Sequence, residues 1–498
     1  MVRILAELWK RPLQRFAALA AALTAARIMV LIFSDTNLGA DEAQYWFWSQ
    51  TPAFGYFSKP PLIAWAIGFT TALFGDSEWA IRLSAPVFHF GSAIFLYAAA
   101  RRLYDERTGF WTGAGWLTLP GVTFSGTLIT TDAPLLFFWS TAVYSFFRLL
   151  NDERAPERRR VWAIILGAAV GLGFLSKYAM IYFLFGAVLA LLFSPAARRR
   201  LRAVDAAIAA ITCALILAPN FFWNMAHNFQ TLSHTAANAH WNGRLFHPEE
   251  LWDFLTAQFG VFGPLPMLAL IWGATRLARS ARMAGAMRET DLALIAFILP
   301  PLVIVGVQAF VSRAHANWAA TAYPTAMIFV TAWALRMRFG ALVKASAAIH
   351  LVAAAVFSAG FVNFAVADAL GLSNAVKRVR GWETLGAETR EAAKGADYDA
   401  ILSDDREIMG ELLYYVGEDA LPIVAWNANA TIDSHYEAFK AFDPERHVRV
   451  LYVTEYADAL LLADQFATVK PVGQARADLK RGKARTFYFF DTSDYAPH

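Results

Sequence analysis

Runs of about twenty apolar residues recur along this chain, and each is long enough to cross a hydrocarbon core of roughly 30 Å as a helix. A backbone inside lipid must satisfy its own hydrogen bonds, so this feature restricts most of the chain to helices. The spans fall at 13–33, 79–100, 108–128, 130–150, 161–176, 178–194, 203–222, 253–274, 291–311, 316–335 and 341–364, about eleven in all. Composition agrees: 57% of the 498 residues are hydrophobic and 17% charged, far from the balance of a soluble domain. The stretch 60–75 is apolar but short and opens on Pro60 and Pro61, so it reads as a helix along or dipping into the interface. The apolar part of the N-terminus, 16–33, is interrupted by Arg27 and has no small-residue cleavage site, which marks a retained helix rather than a secretion signal. Cys213 is the single cysteine, which excludes an intrachain disulfide and a cysteine-built metal site.

Cytoplasmic loops retain Lys and Arg, and here the asymmetry is strong. One set of loops carries Arg3, Lys10, Arg11 and Arg15, then Arg101, Arg102 and Arg107, then Arg148, Arg154 and the run Arg158 to Arg160. The same set continues with the group from Arg198 to Arg202, with Arg276, Arg279, Arg282 and Arg288, and with Arg336, Arg338 and Lys344. The other set offers little more than Lys59, Lys177, Arg244 and Arg313. The N-terminus is therefore expected in the cytoplasm and the second set of loops outside. The net charge of +4 reflects the cytoplasmic arginines and gives no argument for nucleic acid.

Past residue 365 the charge density rises and apolar runs shorten to strand length in "DAILS", "PIVAW", "VRVLYVT" and "RTFYFFD", with a helical pattern at 405–416. Two domains follow: a transmembrane catalytic domain at 1–365 and a soluble α/β domain at 366–498, which an odd number of spans places outside. The fold class expected is a polytopic α-helical membrane protein with a small C-terminal periplasmic α/β domain.

Ionisable groups beside membrane spans are costly and usually face a polar cavity. Here they gather on the outer side. "DEAQYWFWSQTPAFGYFSKPP" brings Asp41, Glu42, Tyr56 and Lys59; "LITTDAPLLFFW" opens a span with Asp132; "GFLSKYAMIY" holds Lys177 and Tyr178; "VSRAHANW" holds Arg313 and His315; and Arg27 lies toward the same face. A single Lys or Arg at this level is as well explained by snorkelling, but acidic side chains do not snorkel well, and Lys59 stands before a proline pair that fixes the following backbone. His227, His234, His240 and His247 are spaced by seven, six and seven, which matches no compact zinc signature, so they read as loop or lining residues. Cations together with carboxylates at a membrane surface suit transfer from a lipid-linked phosphate: the cations neutralise the leaving phosphate, and a carboxylate takes the proton of the nucleophile.

These residues carry a resemblance. "DEAQYWFWSQ…GYFSKPPLIAW", "TTDAPLLFFW", "GLGFLSKYAMIYF", "PNFFWNMAHNFQTLSHTAANAH" and "HANWAATAYP" resemble the bacterial glycosyltransferase family 39 and 83 proteins, relatives of the protein O-mannosyltransferases and of the lipid A aminoarabinose transferase in the GT-C superfamily. The similarity runs in order through residues 10–335. It implies a multi-span, inverting enzyme of the bacterial inner membrane that takes a sugar from a polyprenyl phosphate at the periplasmic face and passes it to a glycan or lipid acceptor. The resemblance assigns Asp41 as the required acid of the first outer loop, with Glu42 beside it, Lys59 as the contact to carrier phosphate, and Asp132 as the acid of the second loop. Arg27 and Arg313 join Lys59 as phosphate-binding candidates. Tyr56, Lys177, Tyr178, His227, His234 and His315 are candidates to line the substrate site. Ser58 stands where the aminoarabinose transferases carry a glutamate, which counts against that donor and against a metal site using that glutamate; the alphaproteobacterial uronic-acid and core-sugar transferases look closer in this loop. The sequence demands no cofactor and leaves a divalent metal open.

The alternative class is a transporter or flippase of a lipid-linked substrate. Such proteins tend to show internal repeats and interrupted helices in matching halves, and no repeat is visible here.

Overall fold

A computed structural model of the protein describes residues 12–151, 156–237, 245–279, 286–427, 429, 431–458, 460–480 and 483–496. Contacts divide the chain into two compact units. The first takes in Met1–Leu31, Lys59–Ala66 and Arg82–Val356, and the second Ile32–Ser58, Ile67–Ile81 and Phe357–His498. The second unit thus contains the C-terminal domain together with two pieces from the start of the chain.

Among the described residues seven helices are long and apolar enough to cross a membrane: Pro12–Ile32, Glu78–Leu103, Asp132–Leu150, Pro156–Ser176, Ala203–Ala226, Met287–Val311 and Gly340–Val362. The other four apolar runs are helical but interrupted. The run at 108–128 is Glu106–Thr118 followed by Pro120–Ser125, because Leu119 takes an extended ψ of 140° before the proline. Pro248–Phe262 and Pro264–Arg279 meet at 111°, and the joint is Gly263 with φ 91°, a conformation that favours glycine. The runs at 178–194 and 316–335 each begin in a 3-10 turn, Tyr178–Met180 and Ala316–Ala322, before the α-helices Ile181–Phe193 and Tyr323–Arg336. The apolar stretch after Pro61 forms the helix Leu62–Phe74.

The core of the first unit is aromatic. Phe146, Phe183 and Phe297, all buried, pack with ring centroids 5.3 Å and 4.9 Å apart. Gly167 lets Pro156–Ser176 lie directly on Ala203–Ala226, since a Cβ there would stand 2.2 Å from the Ala209 carbonyl oxygen. Two of the orienting arginines, Arg159 and Arg336, are paired with buried aspartates. Arg159, almost fully buried, donates Nε to Asp205 Oδ2 at 2.9 Å and Nη1 to the Leu149 carbonyl at 2.6 Å. Arg336 donates to Asp291, which also accepts from the Tyr104 hydroxyl at 2.5 Å.

The second unit carries a five-stranded sheet in the order β2-β1-β3-β5-β4, from β1 (Ala400–Ser403), β2 (Ile423–Ala425), β3 (Arg449–Thr454), β4 (Phe466–Lys480) and β5 (Lys483–Tyr495). β1 runs parallel to β2 and β3, whereas β5 pairs antiparallel with both β3 and β4. Side chains alternate between faces. Ile401, Leu451 and Phe487 join Leu385, Ile408 and Leu412 from two helices on one face, and Leu402, Tyr452 and Phe490 meet Trp426 and Phe466 on the other. The four apolar runs predict β1, β2, β3 and β5. β4 is additional: it is polar, lies at the edge, and carries Pro471 at a register shift, a position where a missing N–H is tolerated.

Candidate functional site

In the first unit, three segments bring polar side chains to one carboxylate. Asp132 is the first residue of Asp132–Asn151 and is buried. Lys177, in extended conformation at the break between Pro156–Ser176 and Tyr178–Met180, donates Nζ to Asp132 Oδ1 at 2.7 Å. Asn317, from the 3-10 turn Ala316–Ala322, donates Nδ2 to Asp132 Oδ2 at 2.6 Å. Both oxygens are therefore taken by side chains from elsewhere in the chain, and neither caps the helix that Asp132 begins. The same connection as Asn317 carries the exposed Arg313 and the exposed His315, whose ring meets Trp318 edge-on at 5.3 Å. Tyr178, next to Lys177, faces Asn224 and Thr231. His227 stacks on Trp223 with centroids 4.0 Å apart, its Nδ1 2.8 Å from the Trp223 carbonyl oxygen. His234 lies in Gln230–Ala237. His240 and Arg244 lie outside the described residues.

Arg27 has a structural task. It is buried, donates to the Leu117 carbonyl that the break at Leu119 leaves without a helical partner, and lies 3.5 Å from Thr123 Oγ1. It makes no contact with Asp132, Lys177 or Asn317 among the described residues. Lys59 is half-buried, directly before Pro60 and the helix Leu62–Phe74.

In the second unit, Asp41 and Glu42 open the helix Ala40–Gln50 and face different partners. Glu42 is buried, and its Oε2 accepts from the Gly39 amide at 2.9 Å, a reach back to the start of its own helix. Asp41 is largely exposed, and its Oδ1 accepts from Arg406 Nη1 at 3.0 Å. Burial acts to lower the Arg406 guanidinium, but the charge and hydrogen bond of Asp41 outweigh it and hold it above the ordinary arginine value. Tyr56 pins the loop that follows: its hydroxyl donates to the carbonyls of Trp48 and Thr51 at 2.9 Å and 3.2 Å, and its ring stacks on Trp48 at 4.8 Å. Burial pushes the Tyr56 hydroxyl up to about 12. His435 packs edge-on against the same pair of rings, and burial pushes it down to about 4.

Among the described residues no three His, Cys, Asp or Glu side chains are grouped to hold a metal ion, and the oxygens of Asp132 are engaged by an ammonium and an amide. Sequence reasoning passed over Asn317 and Arg406. Asn317 lies within the quoted "HANWAATAYP", two residues past His315, and Arg406 sits in a region read only for strands and a helix.

Comparison with known proteins gives the family. The family model for dolichyl-phosphate-mannose-protein mannosyltransferases matches residues 58–223. The lipid A galacturonosyltransferase RgtD of Rhizobium johnstonii is 33% identical over 477 residues, 95% of this chain and 97% of that one. The chain is a glycosyltransferase of the GT-C superfamily. An undecaprenyl phosphate-α-4-amino-4-deoxy-L-arabinose arabinosyl transferase of Aeromonas salmonicida is 30% identical over 267 residues, 51% of this chain and 46% of that one. The crystal structure of ArnT from Cupriavidus metallidurans bound to undecaprenyl phosphate aligns with a TM-score of 0.67 at 17% identity, covering 95% of this chain and 97% of that one, so the fold is shared over the whole length. The transferase reading prevails over the flippase reading, and the GT-C enzyme is a multi-pass membrane protein with a small C-terminal sheet domain.

Proposed function

We propose that this GT-C enzyme transfers a sugar, with inversion, from a polyprenyl phosphate to lipid A or the lipopolysaccharide core at the periplasmic face of the inner membrane, and that the sugar is a hexuronic acid. In this reading the seven long helices and the four interrupted runs make eleven crossings, so the sheet domain and the loops of Asp41, Lys59, Asp132 and Lys177 face the periplasm. The supporting observation for donor and acceptor is the match to a lipid A galacturonosyltransferase over 95% of the chain.

Inversion needs a nucleophile on the face of the sugar opposite the phosphate. In this reading the acceptor hydroxyl loses its proton to Asp41 while its oxygen bonds to the anomeric carbon. The bond from that carbon to the phosphate oxygen breaks, and its electron pair leaves with the polyprenyl phosphate. Lys59, with Arg313, neutralises the leaving phosphate; Arg27 enters least, because its guanidinium serves the helix break. Asp132, held by Lys177 and Asn317, binds acceptor hydroxyls. Tyr178, His227, His234 and His315 line the approach, while Glu42 and Tyr56 shape the loop of Asp41.

The test is mass spectrometry of lipid A and core from a deletion strain, followed by assay of the purified enzyme with polyprenyl-phosphate galacturonic acid and the glycan recovered from that strain. Loss of one hexuronic acid residue, and release of polyprenyl phosphate that depends on both substrates, is the expected result. An unchanged envelope glycan, or loss of a neutral or amino sugar, would overturn the substrate assignment.

A further inference from the structure

The helix that carries Asp41 is held within the second unit by residues of the C-terminal segment. Asn37 donates its amide to the Val379 carbonyl at 2.9 Å, and its Oδ1 accepts from the amides of Gly381 and Trp382, both at 3.0 Å. The Leu38 amide donates to the Tyr415 hydroxyl at 2.8 Å, and that hydroxyl donates to Glu78 at 2.5 Å. The helix Arg406–Tyr415 lies close on Ala40–Gln50 at Gly410, where an added Cβ would stand 3.5 Å from the Ala40 carbonyl oxygen and 2.9 Å from the Tyr436 hydroxyl.

Arg406 is the first residue of that helix, and its backbone is set by Asp405, whose Oδ1 accepts from the amides of Glu407 and Ile408 at 2.7 Å and 2.9 Å. From this fixed start Nη1 donates to Asp41 Oδ1 at 3.0 Å and to Gln44 Oε1 at 2.6 Å. Asp41 and Gln44 are three residues apart and share one face of their helix, so a single guanidinium nitrogen spans both. Gln44 is buried. The second Asp41 oxygen, Oδ2, has no hydrogen bond among the described residues.

We infer that Arg406 is a positioning residue for Asp41: it holds Oδ1, fixes the carboxylate plane, and leaves Oδ2 to take the proton of the acceptor hydroxyl. This inference rests on the reading of Asp41 as the base. It gives the sheet domain a part in the reaction. Both side chains are substantially exposed, 40% for Arg406 and 65% for Asp41, and exposed pairs add little stability, so the contact matters for orientation and not for holding the fold.

The experiment compares the full-length wild type with Arg406→Gln, Arg406→Lys, Asp41→Asn and the double variant Asp41→Asn/Arg406→Gln, measuring release of polyprenyl phosphate from polyprenyl-phosphate galacturonic acid with lipid A as acceptor. Arg406→Gln is expected to lower kcat by about 10- to 100-fold, the scale of a misplaced catalytic group, with KM changed less than twofold. Arg406→Lys restores part of the rate, the double variant is no slower than Asp41→Asn, and the melting temperature of Arg406→Gln stays at the wild-type value. An inactive Asp41→Asn beside an Arg406→Gln of wild-type kcat overturns the inference and leaves the base intact. A double variant that multiplies the two losses also overturns it. An Asp41→Asn of wild-type rate removes the base itself, and the inference with it.

Discussion

Lys177 and Asp132, 45 residues apart in the chain, meet with Nζ and Oδ1 separated by 2.7 Å, and Asn317 closes the other side of the same carboxylate at 2.6 Å. A helix-opening acid that served only the helix dipole would need neither partner. Here the helix start delivers the carboxylate to a junction of three segments, where Lys177 and Asn317 hold both of its oxygens.

Asp132→Asn keeps the shape and removes the charge. Its activity is expected to fall by about 10²-fold or more, since a preoriented charged group contributes on that scale. Asp132→Ser, a small polar residue well tolerated at a helix start, should be equally inactive. Circular dichroism and release of polyprenyl phosphate, measured together, separate this outcome from misfolding. Wild-type rate in either variant would return Asp132 to a structural role.

The neighbours Asp41 and Glu42 should respond in opposite ways. Loss of a general base costs about 10² to 10⁴ in rate, and this is the expectation for Asp41→Asn with folding intact. Glu42 reaches back to the Gly39 amide, which Gln can also do, so Glu42→Gln is expected to keep most of the activity, whereas Glu42→Ala loses about 1 kcal/mol of stability. Kinetics and thermal melting of the three variants check this. An inactive, well-folded Glu42→Gln would place Glu42 in the chemistry.

Arg159 and Asp205 are both almost fully buried, so breaking the pair leaves a charge without its counterion. Asp205→Ala is expected to cost about 3 to 5 kcal/mol, and the joint replacement Arg159→Met/Asp205→Leu far less. Melting temperatures in detergent are the measurement. If the joint replacement loses as much as Asp205→Ala, the pair contributes attraction beyond its own desolvation.

His435 is expected to make stability acid-sensitive. Its ordinary value is 6.5, and burial against Trp48 and Tyr56 pushes it down to about 4 in the folded chain. The unfolded chain therefore takes up the proton first as pH falls. The contribution of neutral His435 is complete above pH 6.5, declines as pH falls from there, and is fully lost below about pH 4, with an upper bound of about 3 kcal/mol. His435→Leu should flatten the pH dependence of melting between pH 7 and 4.5, in proportion to this share. A variant with an unchanged pH slope would assign the acid sensitivity to other groups.

The sequence by itself determines the helical membrane character, the four short apolar strands and the identity of the charged loops, because each of these is a local pattern: a run length or a short motif. Asp132 and Lys177 are both legible there, each in its own motif. Their pairing is not, since it depends on how two helix ends pack. The strand β4 is hidden because an edge strand buries little and needs no apolar alternation. The breaks at Leu119 and Gly263 can be suspected from the prolines that follow them, but the 111° bend arises from a positive φ that composition does not reveal. Tertiary structure alone separates Asp41 from Glu42, two adjacent acids with equal claims on paper, by turning one into a helix cap and presenting the other to Arg406. That arginine lies 365 residues away. Forty-four Lys and Arg residues offer themselves as partners in the sequence, and only the packing of Arg406–Tyr415 on Ala40–Gln50 selects this one.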